Sequence, residues 1–112
     1  MSTFPEPSDE QLEALHDHAK AVVKTVPELL KQLRENRQLT PALLSQQTGL
    51  SVRNILLNER PETSVSLGFL VVVLGHYQVS LSDFVKEAQD QVALQRFKVP
   101  ENIKAKRIPH IF

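Results

Sequence analysis

Histidine and serine are the side chains in this chain with the clearest capacity for metal binding or nucleophilic chemistry. His16 and His18 are two positions apart, so on a helix they would point in different directions and chelate a metal ion poorly. His76 and His110 are distant from them and from each other. Most serines stand where a helix would begin, and there the hydroxyl has a structural role as a cap. With three glycines in the chain there is also no glycine-rich phosphate loop. The pattern predicts no enzyme, no metal site and no cofactor.

The most informative segment covers residues 39–59 and reads LTPALLSQQTGLSVRNILLNE. Thr40 predicts a helix N-cap, with Pro41 at the first helical position, where its missing N–H costs little. Gly49 can adopt the positive φ that ends a helix, and Ser51 can cap a second one. The segment therefore predicts two short helices joined by a glycine turn.

Apolar residues within this segment predict which helix faces turn inward. Leu43 and Leu44 are expected to point inward from the first helix, and Ile55 from the second, while Leu50 fills the gap between them. Two short helices arranged in this way form a helix-turn-helix, the geometry that places one helix in a DNA groove.

The segment before this motif also predicts helix. Ser8 with Gln11 forms a capping-box pattern, and apolar residues then recur on one helical face as far as Val26. Pro27 interrupts that face, which leaves one kinked helix or two helices as alternatives.

The segment after the motif predicts two more helices. Ser66 can cap a helix that ends near Tyr77, although the strand propensity of residues 69–74 makes a buried strand the alternative. Ser80 can cap a last helix that ends near Arg96.

Composition bounds the class of protein. Hydrophobic residues are 41% of the chain and charged residues 23%, which is typical of a globular domain and not of a disordered one. The chain has no cysteine, which excludes disulfide scaffolds and fits a reducing compartment. Because it has no apolar run long enough to span a membrane and no signal-peptide pattern, we expect a cytoplasmic protein without a membrane partner.

Charge is unevenly distributed although the formal net charge is zero. Residues 1–20 are acidic, whereas residues 24–60 and 97–112 carry a net positive charge. This distribution is compatible with a local phosphate-binding surface, and ordinary solvated charge is the alternative. The apolar residues in 97–112 predict that this tail packs against another surface, and a second protein is one candidate.

Residues from about 29 to 85 resemble the lambda-repressor/Cro-like family of helix-turn-helix regulators, which includes the xenobiotic-response-element type. The matching residues are Leu33-Arg34, Arg37, Leu39-Thr40, Leu44, Gly49-Leu50-Ser51, Ile55, Glu59-Arg60, Ser66-Leu67, Leu70-Val71, Val73, Tyr77 and Val79-Ser80-Leu81-Ser82-Asp83-Phe84. The resemblance implies an all-α fold, a compact five-helix lambda-repressor-like bundle. Around it we expect an N-terminal arm and extra helix in residues 1–26, the DNA-binding domain in 27–96, and an extended C-terminal tail in 97–112.

The resemblance also implies roles for individual residues on double-stranded DNA. The expected contacts to base edges are Val52, Arg53, Asn54 and Leu57. The expected contacts to phosphate are Arg37, Thr40, Gln46 and Ser51. The basic tail residues lie outside the resemblance and are further candidates because of their charge. Arg34 and Glu59 match a family ion pair that ties the first helix to the end of the recognition helix.

The chain departs from the family pattern in several places. Pro41 replaces a glutamine that often bonds phosphate, and Asn58 stands where a hydrophobe is usually buried. Apolar groups at Val52, Leu56 and Leu57 occupy a surface that is usually polar. Either Leu57 and Val52 touch thymine methyls while Arg53 bonds guanine, or Leu56 and Leu57 form a protein contact and the motif no longer reads DNA.

A second apolar surface is expected on the fourth family helix. Phe69 and Val72 match positions that are normally polar and exposed, and with Leu56 they form a candidate protein interface. The extra N-terminal helix, the tail or a second subunit would have to cover this surface. We expect a homodimer, since a symmetric pair reads a palindromic site.

The sequence therefore predicts a transcriptional regulator, a dimeric repressor that acts by occupying its operator. The alternative is a protein-interaction module, such as an antitoxin-like protein that binds a partner through its tail or apolar stripe. A scaffold component of a larger assembly is a third possibility.

Overall fold

Every regular element in residues 6–96, the part of the chain that a computed structural model describes, is an α-helix. The helices are α1 (Asp9–Asn36), α2 (Pro41–Thr48), α3 (Val52–Asn58), α4 (Leu67–Tyr77) and α5 (Leu81–Arg96). The all-α prediction is confirmed for these residues, and the buried-strand alternative for residues 69–74 is wrong. Predictions that concern residues 1–5 or the tail 97–112, His110 included, lie outside the described residues.

Side-chain caps begin the helices at the positions that the sequence predicts. Ser8 and Gln11 form a complete capping box: the Ser8 hydroxyl accepts from the Gln11 N–H at 3.1 Å, and the Ser8 N–H donates to the Gln11 amide oxygen at 2.8 Å. Four more hydroxyls each accept the backbone N–H three residues ahead, those of Thr40, Ser51, Ser66 and Ser80. Each cap satisfies a helix N–H that has no partner within the helix.

Helix α1 runs through Pro27 without ending, so the separate N-terminal helix that we expected is the first half of α1. The proline removes one backbone hydrogen bond, which normally kinks or breaks a helix. Here the apolar face continues on both sides of it, and Val26 before it and Leu30 after it pack on the same core. This shared burial explains why the helix continues.

The core draws side chains from all five helices, and those of α1 come from its second half. Its fully buried side chains include Leu29, Leu33, Leu44, Ile55, Val73, Leu74 and Phe84. Leu43 was expected to point inward and does not, since 42% of it is exposed. Leu44 is the buried residue of α2, and an adjacent residue points roughly 100° away around a helix.

Phe69 was predicted as part of an exposed protein interface, and this is wrong: only 8% of it is exposed and it belongs to the core. Helix α4 contacts both α2 and α5, so more than one of its faces is covered. Phe69 lies four residues before the buried Val73 and shares that face. Val72 and Leu56, the other two candidate interface residues, are 44% and 47% exposed.

Gly49 should be the glycine least tolerant of substitution. It ends α2 with φ at 79°, and a Cβ built there would meet no atom within 4 Å. Gly49→Ala should therefore lower the free energy of unfolding by about 1–2 kcal/mol through backbone strain alone. Gly75→Ala is the matched control, since it also has open space but lies within α4. It should raise stability by about 0.5–1 kcal/mol. Urea unfolding of both variants measures whether the two changes in the free energy of unfolding have opposite signs. Equal changes would contradict the claim that the backbone conformation of Gly49 requires glycine.

Within residues 6–96, none of the individual helices has both the length and the apolar character needed to cross a membrane. Helices α4 and α5 meet that test only when taken together, and they are bent by 106° at the break between them.

Candidate nucleic-acid interface

Helix α3 has one buried residue and a wide exposed face. Ile55 is fully buried and holds the helix against the core. Arg53 and Leu57 each lie two residues from Ile55, which is roughly 200° around a helix, so they project on the side away from the core. Both are exposed. Two of the four predicted base-contacting residues therefore occupy the most outward positions of α3.

The first turn of α3 presents polar groups to solvent. Ser51 precedes it, and its hydroxyl accepts from the Asn54 N–H at 3.0 Å. The side chains of Arg53 and Asn54 are both exposed, and both can donate hydrogen bonds. The leading end of α3 thus offers donors of the kind that read base edges.

Asn58, which stands where the family pattern usually buries a hydrophobe, is half-buried. Its amide nitrogen donates to the Asn54 carbonyl oxygen at 2.8 Å. The polar side chain therefore has a partner, and the cost of burying it unpaired does not arise.

Apolar groups flank this polar end. The exposed fractions of Val52, Leu56 and Leu57 are 38%, 47% and 43%. Together with Arg53 and Asn54 they form a surface that we call the α3 face. Its apolar contacts and its directed hydrogen bonds would come from neighbouring side chains of one short helix.

The turn between α2 and α3 is held by a residue that sequence reasoning missed. The Thr48 hydroxyl donates to the Leu44 carbonyl at 2.7 Å and accepts from the Leu50 N–H at 3.2 Å. It thereby links the last turn of α2 to the residue that follows Gly49. A threonine immediately before a predicted C-terminal glycine was the available signal.

Arg34 joins three segments at the base of α3. Its Nε and Nη2 donate to Glu59 Oε2 and Oε1 at 2.8 and 2.9 Å, and its Nη1 donates to the Leu39 carbonyl at 2.8 Å. Because Glu59 is the C-cap of α3, the pair ties α1 and the α1–α2 loop to the end of that helix. The ion pair expected from the resemblance is present, with side chains only 11% and 7% exposed.

Arg37 has a structural contact beside its proposed role. Its guanidinium carbon lies 4.8 Å from the centre of the Tyr77 ring, a cation–π arrangement between the end of α1 and the end of α4. Since Arg37 is exposed, its outer donors still face solvent. The Tyr77 ring below it is 4% exposed. The sequence predicts Tyr77 near the end of a helix and gives no sign of this stacking.

The Tyr77 hydroxyl is buried and has no hydrogen-bond partner in the described residues. Burial raises the pKa of Tyr77 to about 12, because the charged phenolate is disfavoured away from water, and the Glu59 carboxylate adds to the effect. In the unfolded chain the pKa returns to about 10. Ionisation of Tyr77 therefore costs no stability below pH 10, and the free energy of unfolding falls as the pH rises from about 10 towards 12.

Tyr77→Phe should remove this alkaline loss. At neutral pH the variant should be as stable as the parent or more stable by up to about 1 kcal/mol, since an unpaired buried hydroxyl is deleted. Urea unfolding across pH 9–12, the range that brackets both pKa values, gives the comparison. A parallel fall in both proteins would contradict the argument.

The predicted phosphate contacts within the described residues divide between the helix-turn-helix and the end of α1. Thr40 and Gln46 belong to the N-cap and the body of α2, which packs on α3, and both are exposed. Beside them, Gln47 Oε1 lies 2.7 Å from His76 Nε2, which joins α2 to α4. The four candidates are therefore not one cluster: three belong to the helix-turn-helix, and Arg37 lies at the end of α1.

No three His, Asp or Glu side chains in the described part of the chain are close enough together to hold a metal ion. Comparison with family models, with curated proteins and with solved structures finds no match to this chain.

Proposed function

We propose that this chain is a sequence-specific DNA-binding regulator of the lambda-repressor/Cro-like helix-turn-helix type, which acts in the cytoplasm as a dimeric repressor by occupying its operator. One observation carries the proposal: α3 buries Ile55 and turns Arg53, Asn54 and Leu57 to solvent. A short helix held rigidly at its inner face, with donors at its exposed leading end, suits insertion into a major groove.

Two further features support the family assignment. The buried pair between Arg34 and Glu59 is at the positions that the resemblance indicates. Gln78 adopts φ of 59° at the end of α4, where the family pattern has a glycine. Glycine favours such a positive φ, so the local backbone has the form that the family pattern implies even though the residue differs.

Arg53 carries most of the proposed base readout. A guanidinium can donate two parallel hydrogen bonds to guanine O6 and N7, and such a pair discriminates against a wrong base by about 1–3 kcal/mol. The exposed side chains of Val52 and Leu57 are suited to thymine methyl groups. Repression follows if polymerase cannot use a promoter that the protein covers.

A symmetric dimer supplies the affinity that one small domain lacks. Two copies reading two half-sites make the second contact intramolecular, which raises the overall affinity. Helix α4 offers an apolar surface for self-association. It consists of Leu67, Val71 and Val72, which are 62%, 56% and 44% exposed.

The test uses duplexes selected from a random pool by the full chain, followed by anisotropy titrations at two salt concentrations. Arg53→Ala should weaken binding to the selected duplex about 10- to 100-fold, as expected for one lost bidentate contact. Arg53→Lys keeps the charge and should keep weak binding to unrelated DNA, but it should lose discrimination between duplexes. Lys31→Ala, on an exposed position of α1, is the control and should change little. Selection of no sequence, or an Arg53→Lys variant that discriminates as well as the parent, would contradict the proposal.

The exposed leucines of α3 favour one competing function, a protein-interaction module. Leu56 and Leu57 side by side are unusual on a surface that reads DNA, and exposed apolar patches often mark protein contacts. In that case Leu56→Ser with Leu57→Ser would abolish capture of a partner protein, while the chain would bind DNA only weakly and without sequence preference.

A further inference from the structure

Among the residues that the structure describes, almost nothing packs on the first half of α1. Every residue from 9 to 20 is exposed except His18, which is half-buried. Most helical stability in proteins comes from the packing of an apolar face, and this part of α1 gains little of it from the described residues. The capping box at Ser8 helps to begin it but covers none of its side chains.

This half of α1 carries an apolar stripe that continues the core face of the same helix. Leu12, Leu15 and Ala19 follow one another at intervals of three or four residues, and the stripe then reaches Val22 and Val26, which pack on the core. Leu12 and Leu15 are 41% and 60% exposed. We call residues 9–20 with this stripe the α1 extension.

The α1 extension is acidic beside its stripe. It bears Asp9, Glu10, Glu13 and Asp17 against a single basic residue, Lys20. Two copies of the extension packed on each other would bring like charges together, which is unfavourable. Its occupant should therefore be a segment that is both apolar and basic.

Residues 97–112 have that composition. The segment contains Lys98, Lys104, Lys106 and Arg107 against one acidic residue, Glu101. Six further residues are large and apolar: Phe97, Val99, Ile103, Ile108, Ile111 and Phe112.

The segment also begins close to the α1 extension. Helix α5 ends beside the middle of α1, where Gln91 and Gln95 share the lining of a groove of about 360 Å³ with Ala21 and Lys24. From there, 16 residues remain. At about 3.3 Å per residue they reach roughly 50 Å, whereas the α1 extension is about 18 Å long.

We infer that residues 97–112 of the same chain dock along the apolar stripe of the α1 extension, with the basic residues of the tail facing its carboxylates. The inference is independent of DNA binding. It assigns the tail an intramolecular binding surface and gives the exposed half of α1 its missing partner.

Disulfide trapping in the full chain tests this directly, because the natural sequence has no cysteine. Ala19→Cys with Ile103→Cys places one thiol on the stripe and one in the tail. Ala14→Cys with Ile103→Cys is the matched control, since position 14 is also exposed but lies roughly 140° around the helix from position 19. In a glutathione buffer, the stripe pair should form an intramolecular disulfide with an effective concentration at least about tenfold above that of the control pair. Raising the salt concentration should reduce the difference in effective concentration between the two pairs, because salt screens the charges. Equal trapping of both pairs would overturn the inference, and so would disulfide-linked dimers, which would place the tail on a second copy.

A charge exchange distinguishes docking from a general loss of structure. Lys104→Glu with Lys106→Glu should speed amide hydrogen exchange in residues 9–20 several-fold, while exchange in the buried part of α1, residues 29–34, stays unchanged. Adding Glu10→Lys and Glu13→Lys should restore slow exchange. Unaltered exchange in the first variant, or no restoration in the second, would contradict the inference.

Discussion

Glu59→Ala should lower the free energy of unfolding by about 3–5 kcal/mol, the cost of leaving one partner of a buried ion pair uncompensated. In the variant, Arg34 Nε and Nη2 lose both of their acceptors while the side chain stays only 11% exposed. The Leu39 carbonyl alone would remain as a partner. Urea unfolding followed by circular dichroism measures the change.

The control for this loss is the exposed ion pair of α5. Lys86 Nζ lies 3.3 Å from Asp90, and 76% of the Lys86 side chain is exposed. Lys86→Ala should therefore cost no more than about 0.5 kcal/mol. Replacing both buried partners, with Arg34→Met and Glu59→Leu together, should restore much of the lost stability, because no buried charge is left unpaired. A Glu59→Ala variant as stable as Lys86→Ala would show that Arg34 and Glu59 do not act as a buried pair.

Ile55→Ala should cost about 2–5 kcal/mol, since it removes a fully buried side chain and leaves a cavity. We also expect it to weaken the proposed DNA binding, although Ile55 is fully buried and cannot itself touch DNA. Ile55 is the buried residue of α3 that packs on the core, so the shortened side chain no longer fixes the direction of Arg53. Urea unfolding and DNA titration of the same preparations measure both effects.

The neighbouring Leu56→Ala provides the matched control. Leu56 is one position along the same helix but is 47% exposed. Its loss should change stability by no more than about 0.5 kcal/mol. Ile55→Val, which keeps most of the buried volume, should cost about 0.5–1.5 kcal/mol and retain DNA binding. Equal losses in the free energy of unfolding for Ile55→Ala and Leu56→Ala would contradict the claim that α3 packs on the core through Ile55.

Local chemistry made most of the helix boundaries predictable from the sequence. Ser8, Thr40, Ser51, Ser66 and Ser80 each cap a helix at the position where the sequence predicts one. Gly49 ends α2 with the positive φ that its residue type favours. These features depend only on residues within a few positions of each other, and for that reason sequence reasoning can find them.

The features that depend on packing were less predictable. Pro27 signals a break, but burial on both sides of it keeps α1 continuous. Phe69 was expected to be exposed and is buried, whereas Leu43 was expected to be buried and is exposed. The burial of each depends on which neighbouring helices cover it. The Arg37–Tyr77 stacking and the Gln47–His76 contact join residues that are distant in sequence, so no local sequence pattern predicts them.

The candidate site divides in the same way. The order of residues on α3 follows from helical periodicity once Ile55 is placed in the core, so the outward directions of Arg53 and Leu57 were predictable. The resemblance suggested that Arg34 pairs with Glu59, whereas its third hydrogen bond, to the Leu39 carbonyl, depends on how the α1–α2 loop folds.

Backbone amide chemical shifts of the full chain, recorded as a selected duplex is added, test the central claim most directly. The account predicts that the largest shift changes fall on residues 51–57, with smaller ones at the start of α2 and little change in residues 9–20. Unchanged shifts throughout α3, or changes concentrated on α5 or the first half of α1, would contradict the claim that α3 is the element that meets DNA.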